Sequence, residues 1–256
     1  DAASNPAGRD PRNRLPVRLT RPIGREQVIS RIVELLDRER LVCIVGTGGV
    51  GKTTVALSAA ERRATAWADG AFFVDLSRIA APELVLVEVG QTCGLDVARS
   101  EALTSLADDL RDREALIVLD NCEHVIEAAA MLVDRLLRGC PKLRILATSR
   151  ESLQVEAERV LHLPSLAAPE STRAPDPDDL LAFPAIELFV ERATAASDSF
   201  RLDQSNAGAV AQLCRVLDGV PLAIELAAAR VASLSVQSMV SLLGTTLETL
   251  IRGRRC

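Results

Sequence analysis

The run Leu41-Val42-Cys43-Ile44-Val45 passes directly into Gly46-Thr47-Gly48-Gly49-Val50-Gly51-Lys52-Thr53. Consecutive apolar residues suit a strand buried on both faces, and the stretch that follows matches G-x-x-x-x-G-K-[ST], the phosphate-binding loop. Each residue type answers a physical demand. Glycines let the backbone curl until successive N–H groups converge on an anion. Lys52 then reaches the outer phosphates, and the Thr53 hydroxyl is placed to ligate Mg2+. Lysine is scarce: Lys52 and Lys142 are the only two in a chain holding 30 Lys and Arg together. A Lys at this position is therefore no by-product of composition. As a loop cation it is expected to be exposed. The stretch implies a bound nucleoside triphosphate, with a helix running from Lys52 to about Arg63.

Outward from this loop, apolar runs alternate with helical patterns. Val28, Ile32, Leu35 and Leu36 mark a helix over 26–38 on the near side, and Ala71–Leu76 reads as the next strand. Leu84–Val89 suits strand or helix, and Pro82 with Glu83 at a first turn tips it to helix. Leu103, Leu106 and Leu110 mark another helix, and Ala115–Leu119 is a strand running into Asp120. A helix over Glu123–Arg138, closed by Gly139 and Pro141, leads to strands Leu143–Ala147 and Arg159–Leu163. Strands and helices alternating in this way mean a parallel α/β sheet covered by helices on both faces.

Beyond Leu166 the character changes. Residues 167–182, rich in Pro, Asp and Ala, read as a mobile connection, with Asp176-Pro-Asp-Asp179 a solvated loop rather than a metal site. Helical patterns then follow over Ala185–Ala196, Ser205–Leu217, Leu222–Ala232 and Val236–Leu243. The expected organisation is a linker over 1–20, a nucleotide-binding domain over 21–166, and a small all-helical domain over 183–256.

Composition narrows the function classes. With 48% apolar residues the chain can bury a substantial core, although it has only five Phe, one Trp and no Tyr. A net charge of −5 supplies no global basic field, which argues against direct nucleic-acid binding by this segment. The six cysteines lie far apart without metal-ligand spacing; Cys43 and Cys122, in or beside expected strands, read as small hydrophobes, and a disulfide framework does not suit so core-rich a chain, so a reducing cytosol is expected. The most apolar segment, Val220–Ala232, carries Glu225 and Arg230, which disfavours a membrane span. The start shows no signal-peptide pattern and no Met, and the end is Arg252-Gly-Arg-Arg-Cys256; a fragment of a longer cytoplasmic polypeptide is expected.

Two further motifs complete a nucleotide site. Ala115-Leu-Ile-Val-Leu-Asp120 fits a Walker B strand, whose terminal carboxylate holds Mg2+ beside the P-loop strand. Hydrolysis needs a neighbouring acid to polarise water, but position 121 is Asn and the nearest carboxylate is Glu123. Asn121 instead suits a helix cap. Slow hydrolysis is the expectation. The polar tip Thr148-Ser149-Arg150 ends the next strand, where Arg150 is placed to sense the charge of a γ-phosphate.

Ile23-Gly-Arg-Glu26, GTGGVGKTT, LIVLDNCEH, ILATSRE and Leu217-Asp-Gly-Val-Pro-Leu-Ala-Ile-Glu occur in an order that resembles the NB-ARC-like signal-transduction ATPases, the STAND class of P-loop NTPases. The likeness spans about residues 15–245 and looks closest to the ATPase modules of large bacterial transcriptional regulators, LuxR-type or similar. It implies an ASCE-type sheet with an appended helical domain and ATP, ADP and Mg2+ as cofactors. By position it implies adenine contacts from Ile23, Arg25 and Pro221, and phosphate contacts from Gly46, Gly48, Gly49, Val50, Gly51, Lys52, Thr53 and Thr54. Thr53 and Asp120 are then the metal ligands, and Lys52, Asp120, Glu123 and Arg150 the catalytic set. Asn121 departs from the second Asp of many eukaryotic members, and a winged-helix domain is expected next in the chain.

The resemblance further implies a switch: ADP holds the helical domain closed, and exchange to ATP favours an open, assembling homo-oligomer. Its partners would be other domains of the same polypeptide, with a LuxR-type helix-turn-helix or a cyclase as attached effector. Rival P-loop classes fit less well. Thr47 stands where ParA-like ATPases carry their signature lysine, and no N-K-x-D guanine reader occurs. The alternative is an ATP hydrolase or motor, ParA-like or AAA-like, whose output is turnover itself.

Overall fold

The computed structural model describes residues 13–18, 20–79, 81–95, 102–170 and 176–243, without the side chains of 102–105. These fall into two compact units, Asp1–Gly48 with Lys52–Leu163, and Gly49–Gly51 with Pro164–Cys256.

The first unit is built on five parallel strands: β1 Leu41–Val45, β2 Ala71–Asp75, β3 Leu116–Asp120, β4 Arg144–Ser149 and β5 Arg159–His162. Their order across the sheet is β2-β3-β4-β1-β5. β1 and β3 are buried along their whole length, as their unbroken apolar runs require. Successive side chains point to opposite faces, so each strand feeds two cores. Leu41, Cys43, Val45, Ile117, Leu119, Ile145 and Ala147 belong to one core. Helices α3 (Glu83–Thr92), α4 (Ala102–Leu110) and α5 (Ile126–Gly139) supply Val85, Val89, Leu106, Leu110, Leu132 and Leu136 to it. The opposite face is covered by α1 (Glu26–Arg38) and α2 (Lys52–Arg62), which pack on each other and on β1. The expected α/β sheet covered on both faces is the observed one. Buried Leu106 and Leu110 mark α4 as anticipated, while the side chain of Leu103 lies outside the described residues.

The strand order corrects one expectation. The Walker B strand does not lie beside the P-loop strand, because β4 pairs with both and separates them. Asp120 therefore meets the loop through Thr53, at the start of α2. Two other readings change. Residues 13 and 14, placed in the leading linker, bind the outer edge of β2: Arg14 N–H donates to the Ala71 carbonyl at 2.8 Å, and Ala71 N–H to Asn13 Oδ1 at 2.8 Å. They satisfy an edge that would otherwise expose unpaired backbone. The helix expected from Glu123 begins instead at Ile126, after a 3-10 turn over Cys122–His124. Asn121 at φ 62° turns the chain out of β3 and prevents a direct run into the helix.

The second unit is helical in its described elements: α6 Pro177–Leu180, α7 Pro184–Ala196, α8 Ala207–Val216 and α9 Pro221–Ala228, with residues 236–243 also helical. Its core joins Ile186, Phe189, Val210, Leu213, Cys214 and Ile224, and Phe189 stacks edge-on against Phe200 at 5.8 Å. The solvated loop expected at Asp176–Asp179 is instead the start of α6, where the Asp176 carboxylate caps the Asp178 N–H at 3.1 Å and Leu180 is buried. Residues 171–175 and 244–256 of the expected connection and helical domain lie outside the described residues.

Candidate functional site

The P-loop leaves β1 at Gly46, whose N–H donates to the Ser149 carbonyl at 3.3 Å. Gly49 and Gly51 then take φ of 76° and 95°, a backbone that glycine reaches without steric cost. Lys52 opens α2 and is not the exposed cation that its loop position suggested. It is 7% exposed, and its ammonium donates to the carbonyls of Gly46 at 2.9 Å and Thr47 at 3.1 Å. The correction has a simple cause: the loop curls around its own lysine, and those carbonyls replace water. Burial lowers the Lys52 pKa, opposed by Glu123 and Asp120 and reinforced by Arg150. All three charged groups thus act on this one ammonium.

Asp120 ends β3 at 2% exposure inside a ring of donors. The Thr53 hydroxyl lies 2.8 and 2.9 Å from its two oxygens, and the buried Thr148 hydroxyl donates at 2.6 Å. Asn121 Nδ2 adds a third donor at 2.9 Å. Burial pushes the Asp120 carboxyl above the usual range, while the bonds from Thr148 and Thr53 pull it back. Thr148 also accepts from Asn121 N–H at 3.0 Å, so its hydroxyl relays between the turn and the carboxylate.

Asn121 does not cap the following helix with its side chain. Its amide turns inward, between Asp120 and Asp75, the latter at 3.5 Å. Asp75 ends β2 in register with Asp120. Burial works against its charge, but bonds from Ser77 and Asn121 hold its pKa below the ordinary value. Asp75, the Thr148 bond to Asp120 and the inward Asn121 amide escaped sequence reasoning. The available signal was that Asp75 closes its strand as Asp120 closes the neighbouring one.

Glu123 and Arg150 form an ion pair, Nε to Oε1 at 3.2 Å. Both line an open cleft of about 460 Å3 with Ser77, Asn121, His124 and Glu151. His124 is anchored through Nε2, 2.7 Å from the Leu76 carbonyl oxygen. Arg150 also lies over the loop, since a Cβ built on Gly48 would sit 3.7 Å from its guanidinium. The remaining sequence candidates are placed by their own elements. Ile23 and Arg25 are buried at the entrance to α1, and burial lowers the Arg25 pKa. Pro221 is the first residue of α9 in the second unit, after an extended Val220. Thr54 is exposed in the first turn of α2, and Val50 is buried.

Thr53 and Asp120 offer one hydroxyl and one carboxylate within hydrogen-bond distance, an oxygen set that suits Mg2+ completed by phosphate and water. Among the described residues, no group of three or more His, Cys, Asp or Glu could hold a metal alone. The described cysteines are buried free thiols; burial pushes Cys122 and Cys214 up to about 12, which makes them unreactive. No helix among the described residues is long and apolar enough to cross a membrane.

Residues 24–166 match the NB-ARC domain family. The chain belongs to that family. This NB-ARC chain is 42% identical over 202 residues to a Mycobacterium tuberculosis protein named as an HTH-type transcriptional regulator, covering 78% of this chain and 21% of that one. It is 37% identical over 218 residues to an uncharacterized M. tuberculosis protein, covering 85% and 52%. It is 30% identical over 200 residues to the regulatory protein AfsR of Streptomyces coelicolor, covering 74% and 18%. The NB-ARC chain thus spans from under a fifth to about half the length of these relatives. In fold it resembles a Walker-type ATPase of Pyrococcus abyssi, with a TM-score of 0.54 at 14% identity over 95% of this chain and 79% of that one. It also resembles Cdc6p of Pyrobaculum aerophilum, with a TM-score of 0.54 at 15% identity over 88% and 63%.

Proposed function

We propose that this NB-ARC domain is an adenine-nucleotide switch with slow ATP hydrolysis, the regulatory module of a larger transcriptional regulator. The observation that carries the reading is the joining of the loop to the Walker B strand: Thr53 and Thr148 both hold Asp120, with Lys52 curled into the loop. In this reading the Gly46–Thr54 backbone cradles the phosphates. Lys52 exchanges its two loop carbonyls for phosphate oxygens, and Thr53 and Asp120 hold Mg2+. Bound Mg2+ would neutralise phosphate charge and orient the terminal phosphate. Glu123 is the candidate base for the attacking water, and Arg150 the candidate sensor of the γ-phosphate. Slow turnover follows from chemistry at two positions. Asn121 carries an amide where a second carboxylate would polarise water, and the nearest alternative, Glu123, is paired with a cation.

The regulatory role is supported by the names of the relatives, and the cytoplasm is the compartment proposed with it. Ile23, Arg25 and Pro221 are proposed as the adenine contacts. ADP then favours the closed form of the helical unit, and ATP an open form able to assemble. Mass spectrometry of nucleotide released from purified protein, paired with a phosphate-release assay, tests the proposal. Bound ADP or ATP with a few turnovers per hour is expected, on the order of a switch rather than the ~10 s−1 of a typical enzyme. Turnover of many per minute would instead mark a motor, and no nucleotide bound or acquired would overturn the reading.

A further inference from the structure

Glu123 and Arg150 are read separately above, one as base and one as sensor, yet the structure ties them to each other. One Glu123 oxygen lies 3.2 Å from Arg150 Nε in an ion pair, while the other is buried without a hydrogen-bond partner. The Arg150 side chain is 67% exposed, against 20% for Glu123. The arginine is thus the solvent-facing member and the glutamate the enclosed one. The guanidinium also sits over Gly48, at the rim of the phosphate loop, so a small swing carries it from carboxylate to phosphate. A guanidinium cannot give the same N–H face to both anions at once.

We propose that the Glu123–Arg150 pair is a latch on the nucleotide site, in which Glu123 and the γ-phosphate compete for Arg150. This rests on the nucleotide-switch reading. With the loop empty or carrying a diphosphate, Arg150 stays on Glu123 and holds that carboxylate away from water. A γ-phosphate draws Arg150 off, and Glu123, now with two unpaired oxygens, takes up the water it is to activate. The triphosphate thereby releases the base needed for its own hydrolysis, and the cost of breaking the pair is charged against ATP but not ADP. The site accordingly discriminates against ATP by the strength of one partly exposed ion pair.

A double-mutant cycle tests the latch, using a non-hydrolysable ATP analogue and ADP, each with Mg2+, titrated calorimetrically into the full chain. Glu123→Gln should tighten the analogue by about two- to fivefold, the range of a partly exposed pair, and leave ADP unchanged. In the Arg150→Gln background the same Glu123→Gln change should tighten neither. If the gain persists there, Glu123 acts only as a charge repelling phosphate, and the latch is wrong. If Glu123→Gln has no effect on the analogue in either background, the latch is equally wrong. Should the wild-type chain bind neither nucleotide, the switch reading itself fails, a result distinct from both. Thermal unfolding of each variant without nucleotide reports whether it is folded, and Glu123→Asp, which keeps the charge, should restore most of the discrimination.

Discussion

Lys52 holds its charge against two carbonyls of its own loop, away from water. Its burial means that Lys52→Ala removes two charge-assisted hydrogen bonds to Gly46 and Thr47, but also a desolvated charge. The two effects oppose each other, so the unfolding free energy of the nucleotide-free protein should change by no more than about 1 kcal/mol. Nucleotide affinity should respond far more, because charge-assisted bonds to phosphate are lost with nothing in return. A loss of about ten- to hundredfold in ADP binding is expected by calorimetry. An unaltered titration curve would show that the phosphates lie elsewhere. Thr148 makes the converse point. A threonine in a strand is commonplace, and its hydroxyl bonds to Asp120 at 2.6 Å and from Asn121 N–H at 3.0 Å distinguish it from any buried β-branched residue.

At the level of elements, the turn before α9 is closely constrained. Gly219 takes φ 62°, and its carbonyl accepts from Leu166 N–H at 2.9 Å. A Cβ placed there would lie 2.1 Å from the Leu166 carbonyl oxygen, and the obstacle is backbone that cannot rotate aside. Gly219→Ala should therefore cost about 2 kcal/mol or more, combining a left-handed penalty with displacement of the 164–166 segment. Chemical denaturation would reveal it as a lower midpoint, and a midpoint equal to wild type would mean that the turn relaxes freely. Pro221, two residues on, has the easier role of starting a helix, where its missing N–H is not needed. The same reasoning explains the solvated loop that the sequence suggested at 176–179. Pro and Asp there mark a helix start as readily as a loop, and the buried Leu180 that decides between them is a tertiary fact.

For the whole molecule, the proposed switch makes the nucleotide a thermodynamic link between the units. Any ligand that binds the folded state alone raises its stability, by about 2.7 kcal/mol at a hundredfold excess over Kd. ADP should therefore raise the melting temperature. If it also favours a closed form, small-angle scattering should give a smaller radius of gyration with ADP than without nucleotide. Pro221→Ala should weaken ADP binding and reduce that compaction while leaving the helices intact by circular dichroism. Equal radii in both states, together with wild-type affinity in the variant, would reduce Pro221 to a helix start.

The elements and their parallel pairing were legible in the amino-acid order, because buried parallel strands must be continuous apolar runs and the helices between them must carry a stripe. The P-loop was legible for a similar local reason: an anion nest needs glycines and a lysine at fixed spacing. The neighbours of each strand tip were not. Placing β4 between β1 and β3 is a choice among crossovers that leaves no mark on any one segment. From that choice come the Thr53 and Thr148 bonds to Asp120, the inward turn of Asn121 toward Asp75, and the meeting of Glu123 with Arg150. Periodicity reports which face of an element is buried. Which polar groups then converge at the sheet's carboxyl edge depends on strand order and register, which are properties of the folded chain.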